Sequence, residues 1–252
     1  MSLEISNNQK NLSFSGLKTG INKNIVLCRK SPVSDAFIKE MSAGIDSIDE
    51  RVLKQIVKGQ NLEYVLAKRI AGLFPQFKRK HPKGWGKGRT QNNVGAVSAG
   101  GIIGLFEAPI IPKTCRKDFS ADYIRAKVED VRHETGHELH RMFEKITGVD
   151  FTNTKGYTEA YLKDIKNLPK NIKNCKAKQE NIDFATDYQI QGSTPEKATE
   201  IGKQETFAEL FAMLNGGSGA EKYEKGMDKI YKQLFPDTVA YVEKLLYLMG
   251  KR

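Results

Sequence analysis

The sequence predicts an α+β protein: a small twisted sheet from the first half of the chain, one long helix carrying a histidine motif, and a mainly helical C-terminal lobe. Three observations lead to it. Short apolar runs of strand type all fall before residue 108. Tyr123 to about Ile146 reads as one long helix, and it contains His133-Glu134-Thr135-Gly136-His137. From about 155 to 250, apolar residues recur at helical spacing.

In chain order, residues 1–22 are rich in Asn, Ser, Lys and Gly and are expected to form a loosely ordered arm ahead of a single domain spanning 23–252. Within that domain, the expected division is an α/β lobe over about 23–140 and a helical lobe over about 141–252. Ile25-Val26-Leu27-Cys28 is a strand-type run. Ser31-Pro32 is a helix-start signal ahead of Phe37, Ile38, Met41 and Ile45 at helical spacing. A second helix is expected from Asp49 to Lys58, with Val52, Leu53, Ile56 and Val57 as its buried stripe, and Leu62–Leu66 as a strand after it. The opening is thus a β-α-α-β unit. A glycine-rich loop follows, His81-Pro82-Lys83-Gly84-Trp85-Gly86-Lys87-Gly88, in which glycines flank the only tryptophan. Gly101–Glu107 reads as a further strand whose glycines permit close approach of another backbone. Ser120 is the expected N-cap of the long helix. Later helices are expected at Tyr157–Leu168, Ala198–Leu214, Ala220–Leu234 and Asp237–Met249, with Asn215-Gly216-Gly217-Ser218-Gly219 separating two of them.

Composition narrows the function classes. The 252 residues suffice for a substantial core, and 39% hydrophobic with 28% charged residues is the balance of a water-exposed globular chain. No run of 18 or more apolar residues exists, so no membrane span is expected. The first 25 residues lack the apolar stretch of a secretory signal, which leaves a cytoplasmic protein or one exported without a recognisable leader. Cys28, Cys115 and Cys175 are odd in number and far apart, which argues against a disulfide framework or a cysteine metal site. The net charge of +11 raises the question of a nucleic-acid partner. However, Lys163, Lys166, Lys170, Lys173, Lys176 and Lys178 recur at about three to four residues, apart from the last step of two, as a solvated helix face does. No aromatics are interleaved to stack bases.

The chemistry concentrates at His133-Glu134-Thr135-Gly136-His137. The chain has four histidines, at 81, 133, 137 and 140, and three of them fall within eight residues. On a helix, positions i and i+4 lie one above the other, so His133 and His137 can reach one metal ion. Glu134 then points beside it, where a general base must stand for metal-assisted hydrolysis. A bare match of this kind also arises on ordinary polar helices, so the third ligand decides. Six residues beyond His137 lies Phe143, and no later histidine offers a ligand beyond His140, which is rotated off the His133–His137 edge and reads as a partner-facing or core histidine. A carboxylate must complete the set, and the best candidates are Glu205 and Glu209, one turn apart in Glu205-Thr206-Phe207-Ala208-Glu209-Leu210-Phe211-Ala212. One of them can bind zinc while the other orients a ligand.

In this order, Pro82-Lys83-Gly84-Trp85, then HETGH, then ETFAELFA, the chain resembles the Pro-Pro endopeptidases and, more distantly, the catalytic domain of anthrax lethal factor. The similarity runs from about Ile25 to the last helix. It implies a zincin-like fold and a zinc-dependent endopeptidase of gluzincin type. His133, His137 and Glu205 would be the zinc ligands, Glu134 the general base, and Glu209 a residue supporting the ligands or lining the cleft. Trp85, with Lys83 beside it, would form an aromatic platform for a peptide or protein substrate with proline near the scissile bond. The substrate would pair along the Gly101–Glu107 strand, at Gly101 and Ile103, as an added edge strand. Two positions depart from the family pattern. Ala198 stands where a transition-state tyrosine is usual, and Tyr188 is the expected replacement, with Tyr157 or Tyr161 in reserve. Gln204 stands where the family has a further glutamate. A monomer is expected, with no membrane partner. The competing reading is a non-catalytic basic binding protein on the same fold, with nucleic acid or an acidic protein as its partner.

Overall fold

The computed structural model describes residues 14–18, 24–28, 31–56, 62–74, 94–107, 123–215 and 222–250. The chain is mixed α+β and mostly helical, with one small sheet. It divides into two compact units, Met1–Ser47 with Gly59–Glu134, and Ile48–Lys58 with Thr135–Arg252. The second expected helix therefore groups with the helical unit. No helix among the described residues is long and apolar enough to cross a membrane.

The first unit holds a sheet of β1 (Phe14–Lys18), β2 (Asn24–Cys28), β3 (Glu63–Ala67), β4 (Ala96–Ala99) and β5 (Ile102–Phe106), in the order β1-β2-β3-β5-β4. β2, β3 and β5 are parallel neighbours, with Ile25 opposite Tyr64 and Tyr64 opposite Ile103. β1 and β4 are antiparallel edges. Parallel strands cannot be joined by a tight turn, and the segment after β2 accordingly rises into α1 (Asp35–Asp46). Residues of both parities along the central strands are buried. Val26, Val65, Ala67 and Phe106 cluster with Ile70 and Leu73 of the short helix α3 (Ile70–Leu73), while Ile25, Tyr64, Leu66, Ile103 and Leu105 are buried as well. Burial on both faces explains why these strands read as continuous apolar runs rather than alternating ones.

Several expectations are corrected in this unit. Part of the arm expected to be loose, Phe14–Lys18, is a paired edge strand. The α1 cap is Ser34 rather than Ser31. The Ser34 hydroxyl accepts from Phe37 N at 3.2 Å, whereas Ser31 Oγ accepts from Lys68 N at 2.9 Å and so ties the loop after β2 to the end of β3. Gly100 and Gly101 have φ of 60° and 88° and make the β4–β5 turn, so their glycine character serves backbone conformation. The proposed substrate strand also fails. β5 has β3 on one side and β4 on the other, Ile103 is fully buried, and the Gly101 carbonyl accepts from Glu63 N. A peptide cannot add to a strand whose two sides are already paired, so Gly101 and Ile103 are not substrate-pairing positions.

The second unit contains α2 (Glu50–Ile56), the C-terminal part of α4 (Tyr123–Thr147), and α5 (Lys155–Asn174), α6 (Gln179–Ile190), α7 (Glu200–Leu214), α8 (Lys222–Leu234) and α9 (Pro236–Gly250). α5 extends six residues beyond the expected stop at Leu168. Pro169 is exposed, so its missing N–H and ring are tolerated while Ile165 and Leu168 hold the buried side. Its Lys163, Lys166, Lys170 and Lys173 are exposed, the solvated face expected of them, whereas Lys176 and Lys178 lie past the helix end. α6 was not expected; its sequence has no sustained apolar stripe. The core under α7 is aromatic: Phe151 meets Phe207 edge-on at 4.4 Å between centroids and Tyr157 at 5.3 Å. α9 begins at Pro236, and buried Asp164 of α5 caps it, accepting from Thr238 N and Thr238 Oγ1 at 2.7 Å each and from Asp237 N at 3.2 Å. Cys28 is buried and Cys175 half-buried, both as free thiols; Cys115, Ser120 and His81 lie outside the described residues.

Candidate metal centre

The HETGH motif lies inside α4, a helix of 25 residues. At its end Gly148 takes φ 70° and donates to the Glu144 carbonyl at 2.7 Å, the left-handed stop a helix C-terminus favours. Thr135, Gly136, Glu138, Leu139, His140 and Met142 are buried, whereas His133, Glu134 and His137 keep partial solvent access. The motif is thus rooted in the core on one side and open on the side that carries its chemistry.

Glu205 comes from α7, where its position is fixed by both ends of the first turns. Thr199 caps the helix by accepting from Gly202 N at 3.1 Å, and Thr206 Oγ1 donates back to the Gly202 carbonyl at 2.8 Å. Gly136, a variable position of the motif, lets α7 come close. A Cβ placed there would stand 2.9 Å from Ala208 Cα and 3.2 Å from the Ala208 carbonyl oxygen. Any larger residue would meet backbone, which cannot turn aside.

Together these features bring ligand atoms of His133, His137 and Glu205 within 4.8 Å of one another; among the described residues this is the one group of His, Cys, Asp and Glu arranged to hold a metal ion. His137 Nε2 lies 3.3 Å from Glu205 Oε2. Two ligands about 2.0–2.1 Å from a tetrahedral ion stand roughly 3.3–3.4 Å apart, so this separation suits a shared metal. The side chains of His137 and Glu205 are 14% and 16% exposed, so both are largely buried. Two nitrogens and one carboxylate oxygen leave a tetrahedral site one position short, the composition of an open rather than a closed metal site.

Glu209 is buried one turn beyond Glu205 and is not part of the triad. His140 is a core histidine: it is 3% exposed, and its Nε2 contacts Asp150 Oδ1. Tyr157 and Tyr161 are fully buried and committed elsewhere, donating to the Lys203 carbonyl at 2.9 Å and the Gln189 carbonyl at 2.7 Å. Neither supplies a free hydroxyl to a reacting carbonyl. Tyr188 lies on α6, but its side chain is outside the described residues, as are Lys83 and Trp85. Gln204 donates to Glu200 at 3.1 Å on the exposed side of α7.

Two features of the site were not singled out in the sequence. The first is Gly136. A glycine inside a long helix costs about 1 kcal/mol relative to alanine, and that cost is itself a signal of close packing. The second is the polar chain around Asp150. Burial pushes the Asp150 carboxyl up, yet the His140 contact, the Thr152 donors and the His140 charge outweigh it and hold the group down at about 2. Lys203, by contrast, is lowered by burial. No local sequence signal joins these residues, because they come from three separate elements.

No protein-family model and no curated protein matches this chain.

Proposed function

We propose that this chain is a zinc-dependent endopeptidase on a zincin-like fold. The observation that carries the reading is the convergence of His133, His137 and Glu205, with Glu134 next to the first of them on the same helix. The donor set fits zinc: neutral imidazoles and a carboxylate are its usual nitrogen and oxygen ligands, and an HExxH helix supplies the accompanying base.

A zinc ion held there would supply Lewis acidity for the scissile carbonyl and lower the pKa of the attacking water. Glu134 accepts a proton from that water and returns it to the leaving amine, so one carboxylate serves as base and then as acid. His133, Glu134 and His137 share α4, so the base would keep a fixed spacing from two of the residues that would hold the ion. Glu205 brings a negative charge that favours a cation over an uncharged guest. Tyr188 is the donor this reading assigns to the developing oxyanion. Trp85 and Lys83 would line the cleft and favour proline, whose flat ring packs on indole and whose fixed φ lowers the entropy lost on binding.

Elemental analysis of protein purified without chelator tests the assignment, together with the His133→Ala and Glu205→Gln variants. One zinc per chain is expected for the unaltered protein, and much less for both variants. Absence of zinc, before and after reconstitution, would sink the reading.

A further inference from the structure

Next to the triad, a polar chain runs from buried His140 through half-buried Asp150 and exposed Asn153 to buried Lys203. His140, three residues after the ligand His137 on α4, contacts Asp150. Asp150 also accepts from Thr152 N at 2.8 Å and Thr152 Oγ1 at 2.7 Å through the same oxygen, and from Asn153 Nδ2 at 2.8 Å through the other. Asn153 in turn accepts from Lys203 Nζ, two residues before the ligand Glu205 on α7. The Lys203 carbonyl is held from behind by Tyr157 of α5. The chain therefore begins one turn from one ligand and ends half a turn from another.

Such a chain is costly to build. His140, Thr152 and Lys203 are 3%, 0% and 6% exposed, and burying an ammonium and an imidazole without partners would destabilise the fold by several kcal/mol. Apolar side chains would fill the same space more simply: Phe151 lies beside His140 and itself meets Phe143, Tyr157 and Phe207 edge-on. What polar partners add is directionality. A hydrophobic contact lets a helix slide by fractions of an ångström, whereas a sequence of directed hydrogen bonds fixes its distance and rotation. Ligand atoms must be placed to within about 0.5 Å for a metal site to form as intended.

We infer that the His140–Asp150–Asn153–Lys203 chain is a positioning device for the metal centre, setting where α7 presents Glu205 relative to the histidines of α4. The inference rests on the zinc site proposed above. The device acts through Glu205 alone, because His133 and His137 share one continuous helix and hold their mutual spacing without it.

Zinc affinity, measured by competition with a chromogenic chelator, tests this in Asn153→Ala and Lys203→Met, each made in the unaltered chain and in the Glu205→Gln background. Asn153 is exposed, so its truncation cuts the chain without opening the core. Lys203→Met keeps an unbranched apolar side chain of similar length and removes the ammonium. Each variant is expected to bind zinc about 10–100-fold more weakly when Glu205 is present, the range for residues that orient ligands without touching the metal. In the Glu205→Gln background neither should lower affinity further. Equal losses in both backgrounds would mean general loosening of the fold and would overturn the inference, as would unchanged affinity in folded variants. If the unaltered protein binds no zinc, the metallopeptidase reading fails as well. If zinc binds and only the coupling is missing, that reading stands and the positioning role falls.

Discussion

A carboxylate that moves protons and a carboxylate that holds metal are separable by substitution. Glu134→Ala is expected to leave zinc content unchanged while lowering peptide turnover by at least about 10²–10⁴-fold, the usual contribution of a positioned acid–base group. Turnover at the unaltered rate in that variant would remove Glu134 from the chemistry. The glycines permit an equally sharp contrast. A Cβ at Gly136 would stand 2.9 Å from Ala208 Cα, whereas a Cβ at Gly226, exposed on α8, would meet nothing within 4 Å. Both substitutions to alanine gain helix propensity of about 1 kcal/mol. At Gly226 that gain stands alone, and a higher melting temperature is expected. At Gly136, overpacking costs about 1–3 kcal/mol, so a lower melting temperature and weaker zinc binding are expected. Thermal melts of the two variants check the pair, and the same sign at both sites would contradict the close approach of α7 to α4. At this scale the candidate group His133, His137 and Glu205 was legible in the sequence, the histidines through their helical spacing and Glu205, rather than Glu209, through the resemblance in motif order. Gly136 was legible only as an unexplained helix glycine.

Elements were readable where one physical signal dominated. α4 and α9 came out nearly to the residue, since each has a long helical pattern and α9 opens on Pro236. β4 and α6 did not: Ala96-Val97-Ser98-Ala99 is too small and mixed to announce a strand, and α6 earns its place by packing rather than periodicity. The sheet neighbours of β5 depend on pairing with distant segments, which is why a strand that reads correctly was misjudged as an edge. The start of α9 carries its own prediction. Asp164 is pushed up to about 6, from 3.8, by burial, against the pull of the Thr238 and Asp237 donors. Between those values the folded chain holds a proton that the unfolded chain has released. Stability from this group is therefore full below about pH 3.8 and lost as pH rises through about 6. Asp150 runs the other way: its contribution is present above 3.8 and lost as pH falls through about 2, so the two windows do not overlap. Denaturant midpoints across about pH 4 to 6.5 should fall in the unaltered protein more than in Asp164→Asn, which cannot titrate. Identical slopes in the two proteins would show that Asp164 is not the group responsible.

At the scale of the whole molecule, the net charge of +11 states only that acidic partners are attracted, and the exposed lysines of α5 give that charge one well-defined face. The function instead depends on whether one small group of side chains binds zinc and uses it. A binding protein that retained this fold could keep the triad and still have no turnover, so zinc content by itself does not separate the two classes. Both are read together by stripping the protein with chelator, restoring zinc in measured steps, and following hydrolysis of a peptide library in which proline is varied around the scissile bond. Hydrolysis should be absent from the stripped protein, rise with added zinc, and reach its plateau at one equivalent per chain. Zinc that binds at one equivalent without any peptide in the library being cut would contradict the endopeptidase assignment.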